Sequence, residues 1–145
     1  MPKPIVMFVC TGNSARSQMA EALLRKHAGD AVEVHSAGTS PKGVNPLTVR
    51  VMHEIGVDMA RHTSKSVQDV LRKASPTHVF FVCSDAEEHC PRIWPFSLHT
   101  EAWPFPDPAA ATGSVEERLA VFREIRDEIA ERIQAWVAEH VPSIA

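Results

Sequence analysis

The sequence predicts an α/β fold in three layers: a central, mostly parallel four-stranded sheet with helices on both faces. Two observations lead there. Short unbroken apolar runs, Ile5 to Val9 and Thr77 to Val82, have the length and composition of strands buried on both sides. Stretches with helical spacing lie between and after them, so strand and helix alternate along the chain. Right-handed crossovers then bring the loops after Val9 and Val82 to one carboxyl edge, where sheets of this kind bind ligands.

The elements follow in order. After the strand Ile5 to Val9, a helix is predicted from Ser14, with Met19, Ala20, Leu23 and Leu24 on one face. Val32 to Ser36 alternates as a second strand, and Ser36 to Gly43 is a loop rich in turn formers. Asn45-Pro46 supplies a cap and a first-turn proline for a helix carrying Leu47, Val51 and Ile55 and stopping at Gly56. Ser66 caps a short helix that turns Val67, Val70 and Leu71 inward. Thr77 to Val82 is the third strand, a loop runs from Ser84 to Pro95, and a weaker strand lies around Ser97 to Trp103. Pro104, Pro106 and Pro108 stiffen the next segment. Ser114 and Glu117 form a capping box for the last helix, whose Phe122, Ile125, Ile129, Ile133 and Trp136 face inward while Glu116, Arg123, Asp127 and Glu131 face water.

Composition bounds the function. The 145 residues suit one domain over 1–145, with 44% apolar and 23% charged residues as in ordinary globular chains. A formal net charge of −3 without a basic run argues against nucleic acid or an anionic membrane as partner. No apolar stretch is long enough for a bilayer, and Met1-Pro2-Lys3-Pro4 leads into a strand rather than a signal peptide, so the expected location is cytoplasmic. Three cysteines are too few, and odd in number, for a secreted disulfide framework; such cysteines are more often catalytic, redox-active or metal-bound. The sequence has no internal repeat or low-complexity segment.

The chemistry concentrates in Cys10-Thr11-Gly12-Asn13-Ser14-Ala15-Arg16-Ser17, where a strand end meets a helix start. Unpaired backbone N–H groups converge at such a junction, and the helix dipole favours negative charge. Gly12 and Asn13 tolerate the backbone angles that turn amides inward, Arg16 offers a bidentate fork, and Ser17 adds a hydroxyl. The loop is therefore a candidate cradle for a tetrahedral anion, with Cys10 as the nucleophile. A thiol titrates at about 8.5 in isolation, and a helix N-terminus with a neighbouring cation lowers that value.

Cys83 follows its strand much as Cys10 does, and Cys90 lies seven positions later in a polar loop. Thiols so spaced allow sequential disulfide exchange; a zinc site using His89 and Cys90 is disfavoured because no Cys-x2-Cys pair is present. Asp107, held in the proline-stiffened loop, is a candidate general acid for expelling an oxygen from a bound anion. His27, His35, His53, His62, His78, His99 and His140 lack ligand spacing and are assigned packing or surface roles. Trp94, Trp103 and Trp136 are expected to pack on the core or cover the site.

Cys10 to Ser17, Ser36-Ala37-Gly38, Cys83 with Cys90, and Trp103 to Ala109 together resemble the thioredoxin-coupled arsenate reductases, which share the low-molecular-weight protein tyrosine phosphatase fold. The resemblance runs from about Ile5 to Trp136. It implies that Cys10 attacks arsenate(V), Arg16 and the loop amides hold its charge, and Asp107 protonates the leaving oxygen. It further implies that Cys83 attacks Cys10 with release of arsenite, that Cys90 attacks Cys83, and that thioredoxin, or a glutaredoxin-type protein, reduces the Cys83–Cys90 disulfide. No organic cofactor and no metal ligand set are implied, and a monomer is expected. Some relatives bind potassium through residues matching Asn13, Glu21 and Ser36 plus an acidic residue; Lys65 stands at that last position, so its ammonium is expected to replace the ion. The phosphatases typically carry a tyrosine where Ala109 stands, and this chain has no tyrosine. Two other functions stay open: a phosphatase forming a phosphocysteine at Cys10, and a non-enzymatic binder of trivalent arsenic using the three thiols.

Overall fold

A computed structural model describes residues 3–82 and 99–141. Cys83, Cys90, Trp94 and the loop predicted from Ser84 to Pro95 lie outside the described residues. The elements are β1 (Ile5–Cys10), α1 (Arg16–Ala28), β2 (Glu33–Gly38), α2 (Pro46–His53), α3 (Val67–Leu71), β3 (His78–Phe81), β4 (His99–Ala102) and α4 (Val115–His140).

The four strands form one sheet in the order β2-β1-β3-β4, and every neighbouring pair is parallel. β1 is central and its residues Val6 to Val9 are completely buried, which is why this stretch reads as an unbroken apolar run. Travel from β1 to β2 and from β2 to β3 runs in opposite directions, so right-handed crossovers place the two connections on opposite faces. α1 and α4 pack side by side on one face, and α3 packs against β2. Phe8 and Phe80, aligned across β1 and β3, meet Trp103 and Trp136 there, with Phe80 and Trp103 stacked at 4.1 Å. The capping box of α4 is present in both directions between Ser114 and Glu117.

Several expectations shift. β2 runs on to Gly38, because its last residues pair with the end of β1: Val9 faces Ala37 and Cys10 faces Gly38. α1 begins at Arg16 rather than Ser14, whose carbonyl is taken by Asn45 N–H and Thr48 Oγ1. α2 closes at His53, leaving Ile55 half-buried in the following turn. Leu71, predicted inward, is 43% exposed, since a five-residue helix has room to bury only Val67 and Val70. β4 is an edge strand whose four residues are all exposed.

Candidate active site

The strand register fixes the site. β1 ends at Cys10, and the loop from Thr11 to Ala15 joins it to α1. Gly38 of β2 lies directly beneath: a Cβ there would come within 2.6 Å of Thr11 O and 2.8 Å of Asn13 N, so only glycine lets the loop sit this close. Asn13 takes the left-handed conformation at φ 46°, and Gly12 is not among the residues with positive φ. The freedom expected at Gly12 is thus used at Asn13. The cap position of α1 is Ala15, which makes no side-chain capping bond, and the first turn carries no acid. Its amides and its dipole therefore remain available to an anion.

Cys10 is buried, and its sulfur is approached by Asn13 N–H at 3.2 Å and by Ser17 Oγ at 2.7 Å. The direction of the second bond follows from a chain of buried polar groups. Glu21 Oε1 accepts from Ser36 Oγ at 2.6 Å, and Ser36 Oγ accepts from Asn13 Nδ2 at 2.9 Å. Asn13 Nδ2 also donates to Ser17 Oγ at 2.9 Å, so the Ser17 hydroxyl proton is left to point at Cys10. Two donors at the sulfur favour the thiolate.

The amide orientation of Asn13 is itself fixed. Its Oδ1 accepts from Lys65 N–H at 2.7 Å and from Gln18 Nε2 at 2.9 Å. Gln18 is fully buried, its Nε2 also reaches Thr63 O, and its Oε1 faces His62 Nδ1 at 3.0 Å. Burial lowers the His62 pKa, with Arg25 and Lys65 adding to the effect against Glu21 and Asp58. Nδ1 faces two acceptors, Gln18 Oε1 at 3.0 Å and Glu21 Oε2 at 3.5 Å, so it carries its hydrogen on that side. Burial raises the Glu21 carboxyl, but Lys65, the Ser36 hydroxyl, Arg25 and His62 outweigh it, so the group lies below its ordinary range.

Arg16 Nη1 donates to Phe105 O at 3.1 Å, and its Nη2 lies 3.8 Å from Asp107 Oδ1. Asp107 Oδ1 also accepts from Ala109 N–H at 3.0 Å, which holds the carboxyl at the start of the turn Pro108–Ala110. Cys10, Arg16 and Asp107 line one cavity of about 140 Å³, together with Thr11, Gly12, Ser14, Ala15, Lys42 and Ala109. Val82 N–H bonds Val9 O at 2.9 Å and is the last described residue before Cys83. The structure brings Cys10, Arg16 and Asp107 together, and Asn13 and Ser17 support the sulfur from below.

Residues 5–142 match the low molecular weight phosphotyrosine protein phosphatase family. The chain belongs to that family. Within it, the chain is 45% identical over 137 residues to an arsenate reductase of Bacillus licheniformis, covering 94% of this chain and 96% of that one. A solved structure of an arsenate reductase in the phosphate-binding state superposes with a TM-score of 0.79 at 28% identity, covering 98% and 99% of the two chains. A thioredoxin-dependent arsenate reductase of Corynebacterium glutamicum matches at 30% identity with a TM-score of 0.72, covering 99% of this chain and 64% of that one.

Sequence reasoning missed Gln18, and it placed His62 among ordinary packing histidines. Both belong to the scaffold behind the loop that follows Cys10, Gln18 by bonding Asn13 and Thr63 O and His62 by bonding Gln18. The available signal was a polar residue, Gln18, beside the apolar stripe of α1; its partner His62 is 44 positions away and becomes visible only after folding. Lys65 lies where the resemblance places an ion: Nζ is 2.8 Å from Thr63 O and 3.5 Å from both Glu21 Oε1 and Ser36 Oγ. No helix among the described residues is long and apolar enough to cross a membrane.

Proposed function

We propose that this chain reduces arsenate(V) to arsenite(III) through a thiol relay that begins at Cys10. The observation that carries the reading is the convergence of Asn13 N–H and Ser17 Oγ on a buried Cys10, in a cavity that Arg16 and Asp107 also line. Arsenate, held by the loop amides from Thr11 to Ser17 and by Arg16, is attacked by the Cys10 thiolate. An S–As bond forms and an oxygen leaves as water with a proton from Asp107. Cys83 then attacks Cys10 Sγ. The S–As electron pair stays on arsenic, which departs as arsenite, and a Cys10–Cys83 disulfide forms. Cys90 attacks Cys83, returns Cys10 as thiolate, and leaves a Cys83–Cys90 disulfide for thioredoxin or a glutaredoxin-type dithiol to reduce.

The names of relatives at 41–45% identity support the reductase over the phosphatase. Ala109 points the same way, since it offers no ring to stack on an aryl phosphate. In this reading the single domain acts as a monomer in the cytoplasm, without an organic cofactor or metal. A single turnover tests it. Reduced protein is mixed with arsenate and no reductant, and thiols, arsenite and disulfide-linked peptides are counted. Two thiols lost per arsenite, with Cys83 joined to Cys90, is the expected result. Three surviving thiols and no arsenite would overturn it, and aryl phosphate hydrolysis becomes the next assay.

A further inference from the structure

Lys42 sits at the mouth of the pocket on a segment tied to the anion loop. Thr39 N–H bonds Cys10 O at 3.2 Å, Ser40 N–H bonds Thr11 O at 2.8 Å, and Lys42 N–H bonds Gly12 O at 2.9 Å. The segment thus follows the loop almost residue by residue. The aliphatic stem of Lys42 lies against Gly12, where an added Cβ would meet Lys42 Cδ at 3.4 Å. Lys42 lines the same cavity as Cys10, Arg16 and Asp107. Arg16 is already engaged with Phe105 O and Asp107, whereas the Lys42 ammonium has no ion-pair partner among the described residues.

We propose that Lys42 is a specificity-determining residue, a cation at the pocket mouth that selects the doubly charged form of a tetrahedral oxyanion. Charge favours such a cation: with Asp107 protonated as the general acid, Arg16 only offsets the Cys10 thiolate, and Lys42 makes the lining net positive toward an incoming dianion, on a chain that is −3 overall. A point charge on a flexible stem suits attraction at the mouth, while the planar fork of Arg16 suits the bound geometry. The inference rests on the reductase reading only for the identity of the substrate. Within that reading it has a second consequence: arsenite is uncharged at neutral pH, so the cation that draws in the substrate does not retain the product.

The test uses the full chain and inorganic phosphate, with protection of Cys10 from iodoacetamide as readout, for the native protein, Lys42→Gln and Lys42→Arg. At low ionic strength and pH 8, Lys42→Gln is expected to need about five- to tenfold more phosphate for half-protection. The gap should close in high salt and shrink at pH 6, where phosphate is mostly the monoanion. Lys42→Arg should stay close to native. With arsenate, the loss should appear in KM more than in kcat. Equal protection of native and Lys42→Gln at low salt would overturn the proposal, as would a gap that neither salt nor pH alters. If arsenate is reduced and Lys42→Gln changes nothing, Lys42 falls and the reductase stands. If phosphate binding depends on Lys42 but arsenite never forms, the reductase falls and Lys42 stands.

Discussion

The two edges of the sheet each gather polar side chains, and they do so in opposite ways. At the carboxyl edge, Asn13 Nδ2 donates on one side to Ser36, which donates on to Glu21, and on the other to Ser17, whose hydroxyl points at the single sulfur of Cys10. Along the outer edge formed by β4, beside α4, a larger hollow of about 560 Å³ is lined by His78, His99, His140, Trp103, Trp136 and Arg132. There the rings contact one another: His78 stacks on His99 at 4.5 Å and Trp136 on His140 at 4.7 Å. No group of three metal-binding side chains with suitable geometry occurs among the described residues. What separates the edges is convergence. Donors aimed at one atom create reactivity, whereas like groups packed side by side create only packing and a shared dependence on protonation.

The strongest way to break this contrast is at the sulfur itself. Cys10→Ser should abolish arsenite formation altogether, measured as product per enzyme in a single turnover. Asn13→Ala keeps the sulfur but removes the side chain that orients Ser17. It leaves Ser36, Gln18 and the Lys65 amide short of a buried partner, at a cost of about 2–3 kcal/mol in stability. Cys10 alkylation at pH 7 should slow, and turnover should fall roughly a hundredfold. Native-like alkylation in that variant would mean that the network does not act on the sulfur.

How much of this was legible in the sequence depends on range. β1, β3 and the capping box of α4 are local patterns, and they fold where the periodicity places them. The anion loop was legible because Cys10 and Arg16 are separated by one short loop between a strand and a helix. Gly38 looked like a turn residue. Its actual role is a register contact with Thr11 and Asn13, which no window of sequence contains. Gln18 meets His62, and His78 meets His99 and His140, only through tertiary packing. The histidines therefore appeared scattered in sequence while three of them share one corner of the molecule.

That corner yields an intermediate effect. Burial first, then His99 and His140, push the His78 pKa below its ordinary value, against a raising influence from Glu101. Glu139 and Arg132 of α4 line the same hollow. The sign follows from linkage. Above the unfolded value of about 6.5, both states leave this ring neutral and its contribution is fully present; as pH falls through that value toward the folded pKa, the unfolded chain binds a proton the folded chain resists. Stability should therefore drop on acidification from pH 7 to 5. His78→Phe should be less sensitive than the native protein over that interval, in urea midpoints measured at each pH. Parallel curves for the two proteins would show that His78 does not carry the effect.

The smallest expected effect is a null one, and it sharpens the account of the carboxyl edge. Glu21 is a buried carboxylate, 7% exposed in its side chain, at the end of the Ser36 side of that network. It needs a cation, and the Lys65 ammonium is placed between Glu21, Ser36 and Thr63 O. A compact ammonium holds the Glu21 charge and keeps Ser36 aimed at it, so a monovalent metal ion has no deficit left to fill. Arsenate turnover should be the same in potassium and in sodium at equal ionic strength. A several-fold activation by potassium would mean that Lys65 swings out of the network during turnover, leaving the charge behind Asn13 to be supplied from solution.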